Sequence, residues 1–235
     1  MEEYKYLANE KDKCWYKKIC SCDKCDEDSF CIRHYKMDNL VRLSTMEGKQ
    51  KYSVELIPQK EDYGSFLKLR EIKTNIGKFV SDGRNLLIFS ENTGNGKTEW
   101  SKKLLLSYLD SIWSTTDLRC RALFVSMPRF VFAMKENLSN PNEYFQYVHD
   151  NLLTADLVVW DEINYKEWTS FEAEYMLNII SQRISKGLSN IYTTNYGLET
   201  ISKMLGTRLA SRIVGCSEHV ELVGKDRRSA GDFCK

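Results

Sequence analysis

The feature that most constrains the fold is the stretch NLLIFSENTGNGKTEW at residues 85–100. It begins with an apolar run of the length of a buried strand and continues through a turn that contains Gly94 and Gly96. Lys97 and Thr98 then open a segment with helical periodicity. A strand that passes through a glycine turn directly into a helix is the first half of a βαβ unit. We therefore expect an open sheet of parallel strands.

Four apolar runs, each short and bounded by polar residues, are typical of parallel strands buried on both faces. They cover residues 85–90, 122–126, 157–160 and 190–194. Helical periodicity fills the segments between them, at residues 97–114, 130–138, 144–153 and 171–186. This alternation predicts an α/β fold with a parallel sheet flanked by helices. In such sheets ligands bind beyond the carboxyl ends of the strands.

The glycine turn has the residue types that bind nucleotide phosphates. Backbone N–H groups of the turn and the positive end of the helix would hold phosphate oxygens, Lys97 would reach the β and γ oxygens, and the Thr98 hydroxyl would ligate Mg²⁺. The usual pattern has glycine where this chain has Glu91, and a carboxylate there would weaken nucleotide binding. The alternative is an ordinary turn before a helix. The predicted ATP-binding residues of the turn are Thr93, Gly94, Asn95, Gly96, Lys97 and Thr98.

Polar residues follow two later strands. Asp161, after the strand at 157–160, would hold Mg²⁺ through water, and Glu162 would polarise the attacking water as a base. Alone, such an acidic pair is more often a solvated strand end. Asn195 follows the strand at 190–194 and would position the water or sense the γ-phosphate, although asparagine after a strand is usually a turn residue.

Arginines near the C-terminus are candidates for phosphate contact. Arg208 and Arg212 lie four residues apart, on one face of a predicted helix, and would reach a phosphate across a subunit interface. The alternative is a basic helix that faces solvent. Arg227 and Arg228 are further candidates for sensing the γ-phosphate.

With these motifs in this order, residues 63 to about 228 resemble the AAA+ domain of the bacterial DnaC/DnaI helicase loaders and the related IstB-type ATPases. The residues that carry the resemblance are TGNGKT at 93–98, LVVWDE at 157–162, the stretch at 172–195 and GTRLASRI at 206–213. The resemblance implies that Arg212 is an arginine finger, with Arg208 as its neighbour. It also implies an AAA+ P-loop ATPase with little or no helical lid.

The N-terminal region is rich in cysteine: five of the eight cysteines lie in the first 31 residues. In an intracellular chain this density favours a metal site over disulfides, and Zn²⁺ would fold a segment too small for its own core. We predict that Cys20, Cys22, Cys25 and Cys31 bind zinc, with Cys14 and His34 as substitutes. Reduced thiols without metal are the alternative. The segment resembles the Cys-rich start of phage-type DnaC-like loaders, which docks on the helicase.

These patterns predict three parts: a Cys-rich module at 1–50, a linker at 51–62 and the AAA+ ATPase domain at 63–235. The charge is balanced, with 34 Lys plus Arg against 33 Asp plus Glu, so only a local patch would contact DNA. Residues 129–135 mix Arg129, Phe130, Phe132 and Lys135 as a single-stranded DNA surface does, although aromatics at helical spacing are more often core.

The expected function is that of a bacteriophage or bacterial loader that uses ATP, Mg²⁺ and a structural Zn²⁺. It would place a hexameric DnaB-family replicative helicase on single-stranded DNA and would form a homo-oligomer through the ATP site. No apolar stretch approaches the roughly 20 residues of a membrane span, so we expect a soluble cytoplasmic protein. The alternatives are an IstB-type transposition regulator acting on duplex DNA and a non-hydrolysing replication adaptor.

Overall fold

The computed structural model describes Tyr16, residues 31–46 and residues 56–227. The strands are β1 (Asn85–Phe89), β2 (Ala122–Ser126), β3 (Leu157–Asp161), β4 (Ser189–Thr194) and β5 (Glu218–Glu221). The helices are α1 (Ile32–Leu43), α2 (Tyr63–Thr74), α3 (Ile76–Ser81), α4 (Lys97–Ile112), α5 (Met127–Asn137), α6 (Glu143–Asn151), α7 (Ser170–Ser185), α8 (Leu198–Leu205) and α9 (Thr207–Ile213), with a 3₁₀ turn at Lys60–Asp62. Within these ranges, no helix is both long enough and apolar enough to span a bilayer.

The strands form one parallel sheet in the order β2-β3-β4-β1-β5. Helices cover both faces, because one apolar cluster joins the sheet to α1–α4 and a second joins it to α5–α9. Residues of β1, β3 and β4 are therefore buried along their whole length. Because the strands are parallel and β4 lies between β1 and β3, the carboxyl ends of these three strands lie side by side. We call this border of the sheet its carboxyl edge, which is distinct from the edge strands β2 and β5.

The four strands expected from apolar runs are all present, with ends that differ by one residue at most. The sequence analysis missed β5, in which only Val220 is buried, because an edge strand with one buried residue gives no apolar run. It also missed α2 and α3, which lie before the first predicted strand.

The helix α1 packs on the α/β domain although it belongs to the predicted module at 1–50. Met37, Leu40 and Val41 are buried in the same apolar cluster as residues of α4. The chain then runs beside the edge strand β2, where Ser44 O accepts a hydrogen bond from Phe124 N–H at 2.8 Å. The described part of the module thus protects an open sheet edge, and the boundary between module and domain stays a prediction.

Residues 56–62, which the sequence analysis places in a linker, pack against the end of the described chain. The Asp62 side chain is buried, and its carboxylate accepts hydrogen bonds from Val223 N–H at 2.6 Å and Gly224 N–H at 3.0 Å. Gln59 accepts a further bond from Lys225 N–H. This part of the predicted linker is therefore held to residues 222–227, which we call the C-terminal segment.

Candidate functional site

Most of the predicted site residues lie at the carboxyl edge of the sheet, where β1, β3 and β4 end. Lys97 is the first residue of α4, which follows β1 through the glycine turn. Asp161 is the last residue of β3, and Asn195 directly follows β4. The fold therefore brings together side chains that lie up to about a hundred positions apart in the sequence, as expected for an open parallel sheet.

The turn between β1 and α4, residues 91–96, is shaped by two glycines. Gly94 has φ of 70° and Gly96 has φ of 105°, values that favour glycine. A Cβ built on Gly94 would also lie 1.9 Å from a carboxylate oxygen of Asp226. The Asp226 side chain therefore packs against the turn at Gly94, and the turn leads into the N-terminus of a 16-residue helix. Glycines with positive φ before a helix N-terminus fit a bound phosphate group, and we call residues 91–96 the phosphate turn.

The Lys97 side chain lies within this turn. Its ammonium group donates to Asn92 O at 2.8 Å and to Asn95 Oδ1 at 3.2 Å, and the residue is 6% exposed. Because a buried ammonium group is costly without acceptors, these two bonds stabilise the positive charge within the turn. A nucleotide phosphate would supply a full negative charge in place of these neutral acceptors.

Glu91 occupies the position where the phosphate-binding pattern usually has glycine. Among the described residues other than glycine, positive φ is found at Thr45 and Glu162 only, so the backbone at Glu91 accepts a side chain. The carboxylate lies towards Gly197, where an added Cβ would be 2.8 Å from Glu91 Oε1. Gly197 is the N-cap of α8. The glutamate therefore fits without distorting the turn, and its charge lies at a helix N-terminus.

Thr98 and Asp161 form the part of the site that suits a divalent cation. The Thr98 hydroxyl donates to Asp161 Oδ1 at 2.9 Å, and the hydroxyl of Thr193 on β4 donates to the same oxygen at 2.7 Å. Burial raises the pKa of Asp161, although these hydroxyls and the positive charges of Lys102 and Lys97 partly oppose the rise. A hydroxyl and a carboxylate are oxygen ligands of the kind that Mg²⁺ prefers, and its charge would offset the cost of burying the carboxylate.

Glu162 has an uncommon backbone conformation, with φ of 58°. Its N–H donates to Thr193 Oγ1 at 2.9 Å, while the residue itself is exposed. Partial desolvation of the carboxyl group and the negative charge of Asp161 raise its pKa, and the positive charge of Lys97 lowers it. A raised pKa makes a carboxylate a better proton acceptor near neutral pH. Left-handed conformations of residues other than glycine are concentrated at functional sites.

Asn195 lies half-buried at the end of the strand between β1 and β3. The preceding residue, Thr194, donates its hydroxyl to Asn164 Oδ1, so the end of β4 is bonded to the turn that follows β3. The fold thus places Asn195 at the same edge as Asp161 and Glu162. Its role towards water or phosphate stays a prediction.

Arg208 and Arg212 lie on α9 rather than on the turn between β1 and α4. Both are exposed on α9, whose inward residues belong to the apolar cluster on the sheet face opposite to α4. They line a surface groove of 560 Å³ between α7 and α9, together with Leu177, Ser181, Thr207 and Ser211. The structure therefore does not bring the two arginines to the phosphate turn of the same chain, and contact with a neighbouring subunit stays a prediction.

Arg227 lies on the phosphate turn. Its guanidinium donates to Asn95 O at 3.3 Å and to Ile57 O at 2.5 Å, and its backbone N–H donates to Gly94 O at 3.0 Å. The amide of Asn95 in turn donates to Leu222 O at 2.9 Å. The C-terminal segment therefore supports the turn, a contact without a local sequence signal. Arg228 lies outside the described residues.

The zinc prediction falls mostly outside the described residues, which include neither Cys14 nor Cys20, Cys22 and Cys25. Cys31 is exposed at the N-cap of α1, where its sulfur accepts a hydrogen bond from His34 N–H at 3.4 Å. Within the described ranges, no three potential ligands among His, Cys, Asp and Glu are grouped to hold a metal ion. Zinc binding by Cys20, Cys22, Cys25 and Cys31 stays a prediction.

The aromatic residues of α5 divide into core and surface. Phe130 is fully buried and its ring stacks on Phe145 with centroids 5.4 Å apart. Phe132 is 63% exposed, and the Arg129 guanidinium lies 4.0 Å from the centroid of Tyr144. The core interpretation is therefore correct for Phe130 and wrong for Phe132.

Comparison with known proteins relates this chain to helicase loaders. No model of a protein family matches the sequence. The chain is 26% identical to the replicative helicase loader DnaC of Escherichia coli strain K12 over 146 residues, which are 62% of this chain and 53% of DnaC. The match therefore spans about half the length of that relative.

Solved structures support the assignment of the fold. The crystal structure of the DnaC helicase loader has a TM-score of 0.59 and 18% identity, with coverage of 73% of this chain and 96% of that chain. For DnaI the TM-score is 0.59 at 16% identity, with coverage of 78% and 95%. The replication initiator DnaA bound to AMPPCP and single-stranded DNA has a TM-score of 0.57 at 17% identity, with coverage of 76% and 51%. This chain thus resembles the DnaC helicase loader in sequence over about half of that protein and shares the α/β fold of the DnaC, DnaI and DnaA structures.

Proposed function

We propose that this chain is a Mg²⁺-dependent ATPase that loads a hexameric DnaB-family helicase onto single-stranded DNA in the cytoplasm. The observation that carries the ATPase part is the meeting of Lys97, Thr98, Asp161 and Glu162 at one sheet edge. These four residue types are the ones that phosphoryl transfer from ATP requires. The similarity to DnaC supports the loading part.

Each residue has a distinct task in hydrolysis. The turn N–H groups and Lys97 would bind the phosphate oxygens, and Thr98 and Asp161 would hold Mg²⁺, whose positive charge would offset that of the phosphates. Glu162 accepts a proton from the attacking water. The oxygen of that water bonds to the γ-phosphorus, and the bond between the γ-phosphorus and the ADP oxygen breaks. Asn195 orients that water from the end of β4. The products are ADP and inorganic phosphate.

A neighbouring subunit completes the site through Arg212, with Arg208 beside it. Both arginines are exposed, and among the described residues neither forms a salt bridge with an acidic side chain. Because α9 packs on the sheet face opposite to α4, an oligomer provides the contact with the γ-phosphate. An arginine at the γ-phosphate stabilises the charge of the transition state.

Contacts with helicase and DNA come from other surfaces. The Cys-rich module, folded by Zn²⁺ on Cys20, Cys22, Cys25 and Cys31, docks on the helicase. Exposed Phe132, one turn from Arg129 on α5, offers an apolar and positively charged surface to the bases and backbone of single-stranded DNA.

The test combines an ATPase assay with a loading assay on the full chain. Wild type and Lys97→Ala are incubated with Mg²⁺ and ATP, alone or with the DnaB-family helicase of the same cell, with single-stranded DNA, or with duplex DNA. We expect the wild type to hydrolyse ATP, faster in the presence of helicase and single-stranded DNA. We also expect helicase to become bound to single-stranded DNA only when ATP is present. Lys97→Ala should lose both activities.

Other outcomes assign other functions. Stimulation by duplex DNA without any helicase binding would contradict the loader proposal and favour an IstB-type regulator. Helicase binding that is identical with ATP, with ADP and without nucleotide, and without turnover, would favour a non-hydrolysing adaptor.

A further inference from the structure

One buried hydroxyl at the candidate site bonds to both acidic residues of the proposed ATPase. Thr193 on β4 is 1% exposed. Its Oγ1 donates to Asp161 Oδ1 at 2.7 Å and accepts from Glu162 N–H at 2.9 Å. A threonine hydroxyl has one proton to donate, so these two bonds fix the orientation of the O–H group as well as the position of its oxygen.

The backbone of Thr193 extends this connection. Its carbonyl accepts a hydrogen bond from Ile163 N–H at 3.0 Å, so the turn after β3 is bonded to Thr193 on both sides of Glu162. Glu162 lies between them with φ of 58°, a conformation that costs free energy unless its surroundings impose it. Thr193 supplies that restraint.

We propose that Thr193 is a positioning residue for ATP hydrolysis, because its hydroxyl orients the Asp161 carboxylate and holds Glu162 in the conformation that presents its side chain to the attacking water. This inference rests on the proposed ATPase function. Among the described residues, Thr193 and Thr98 both donate to Oδ1 of Asp161, and Oδ2 would hold Mg²⁺ through water. In this role Thr193 acts through Asp161 and Glu162 rather than on the nucleotide.

The adjacent residue provides a matched control. Thr194 is also 1% exposed on β4, and its hydroxyl donates to Asn164 Oδ1 in the same turn after β3. It forms no hydrogen bond to Asp161 or Glu162 among the described contacts. Loss of a buried hydroxyl from Thr194 therefore measures the structural cost of such a change without altering the acidic pair.

The experiment compares wild type, Thr193→Val, Thr193→Ser and Thr194→Val. For each protein we measure kcat, the KM for ATP, ADP affinity, the Mg²⁺ concentration needed for half-maximal nucleotide binding, and Tm. Valine keeps the shape of threonine but removes the hydroxyl. We expect Thr193→Val to lower kcat by about tenfold or more, and to raise the Mg²⁺ requirement, with ADP affinity at saturating Mg²⁺ within about threefold of wild type.

Thr193→Ser, which restores the hydroxyl, should return kcat to within about threefold of wild type. Thr194→Val should lower Tm as much as Thr193→Val does but leave kcat within about threefold. Unchanged kcat and Mg²⁺ requirement in Thr193→Val would overturn the proposal. Equal losses of kcat in both valine variants would also overturn it, because they would show a general loss of structure.

Failure of the proposed function has a different signature. If the wild type binds Mg²⁺ and nucleotide without turnover, hydrolysis is disproved, and the Mg²⁺ requirement of Thr193→Val still decides the role of Thr193. If the wild type binds no nucleotide, both proposals fall.

Discussion

The hydroxyl of Thr98 donates to Asp161 Oδ1 at 2.9 Å and thereby joins two positions 63 residues apart. Thr98 lies at the start of α4, which follows β1, whereas Asp161 ends β3, and β4 lies between those strands. The protein itself thus holds the two halves of the proposed ATPase site together. A cation ligand on each half would give Mg²⁺ a place where the two meet.

Glu162→Gln should separate nucleotide binding from hydrolysis. The amide keeps the size of the side chain but cannot accept the proton from water, so we expect kcat to fall by about 100-fold or more while ATP affinity changes little. Steady-state ATPase assays and equilibrium binding of ATP measure the two quantities. Glu167→Gln, at an exposed position of the following loop, is the control. Equal turnover in Glu162→Gln and wild type would exclude Glu162 as the base.

Gly94→Ala should weaken nucleotide binding. Both Gly94 and Gly187 have positive φ, at 70° and 67°, so alanine at either position costs about 1 kcal/mol of conformational free energy. Only at Gly94 would the new methyl group meet another side chain, that of Asp226; around Gly187 there is open space. We expect a similar drop in Tm for both variants, but at least about tenfold weaker ATP binding only in Gly94→Ala. Equal ATP affinities would contradict this account of the turn.

Arg212→Ala should be rescued by a second inactive variant if the arginine acts between subunits. A mixture of Arg212→Ala and Glu162→Gln contains interfaces with an intact Glu162 on one side and an intact Arg212 on the other. The mixture should therefore hydrolyse ATP faster than either variant alone, as titration of one against the other would show. Lys203→Ala, exposed on the neighbouring helix α8, should behave as wild type. A mixture no faster than the mean of its components would argue against a finger in trans.

Glu172 should make stability depend on pH in the acid range. Burial alone would raise its pKa, but hydrogen bonds from Lys166, from the Thr169 backbone and from other donors lower the pKa to about 2. The folded state thus favours the carboxylate, and the resulting stability is present above the ordinary pKa of 4.5 and is lost as pH falls towards 2. Glu172 is also part of the capping box of α7.

Glu172→Gln should therefore lower the free energy of unfolding by about 1–3 kcal/mol at neutral pH. Thermal unfolding across pH measures the difference from wild type, which should shrink below pH 4.5 as the carboxylate of the wild type is protonated. Glu174→Gln, exposed on the same helix, should change stability little at any pH. A difference that is constant with pH would contradict the assigned pKa.

Cys25→Ser should remove zinc from the N-terminal region. Four thiolate ligands bind a structural zinc, and serine is a poor substitute, so we expect metal content to fall from about one zinc per chain towards zero. Cys216→Ser, at an exposed position before β5, should leave the metal content unchanged. Elemental analysis of both proteins measures it. Unchanged zinc in Cys25→Ser would refute the ligand assignment.

The sequence by itself determined the sheet core and the candidate residues at its edge. The apolar run at 122–126 matches β2 at both ends, because a strand buried on both faces needs continuous apolar residues. Lys97, Thr98, Asp161 and Glu162 were identifiable because their tasks require particular residue types directly after particular strands.

The tertiary structure alone decided the contacts that join distant positions. These include the docking of α1 beside β2, the support of the phosphate turn by Arg227 and the two hydrogen bonds of Thr193 to Asp161 and Glu162. Local periodicity records which face of an element is buried but not which element covers it. In the sequence, a threonine within a strand indicates only a residue type that favours strands. Only its neighbours in space show which groups its hydroxyl bonds to.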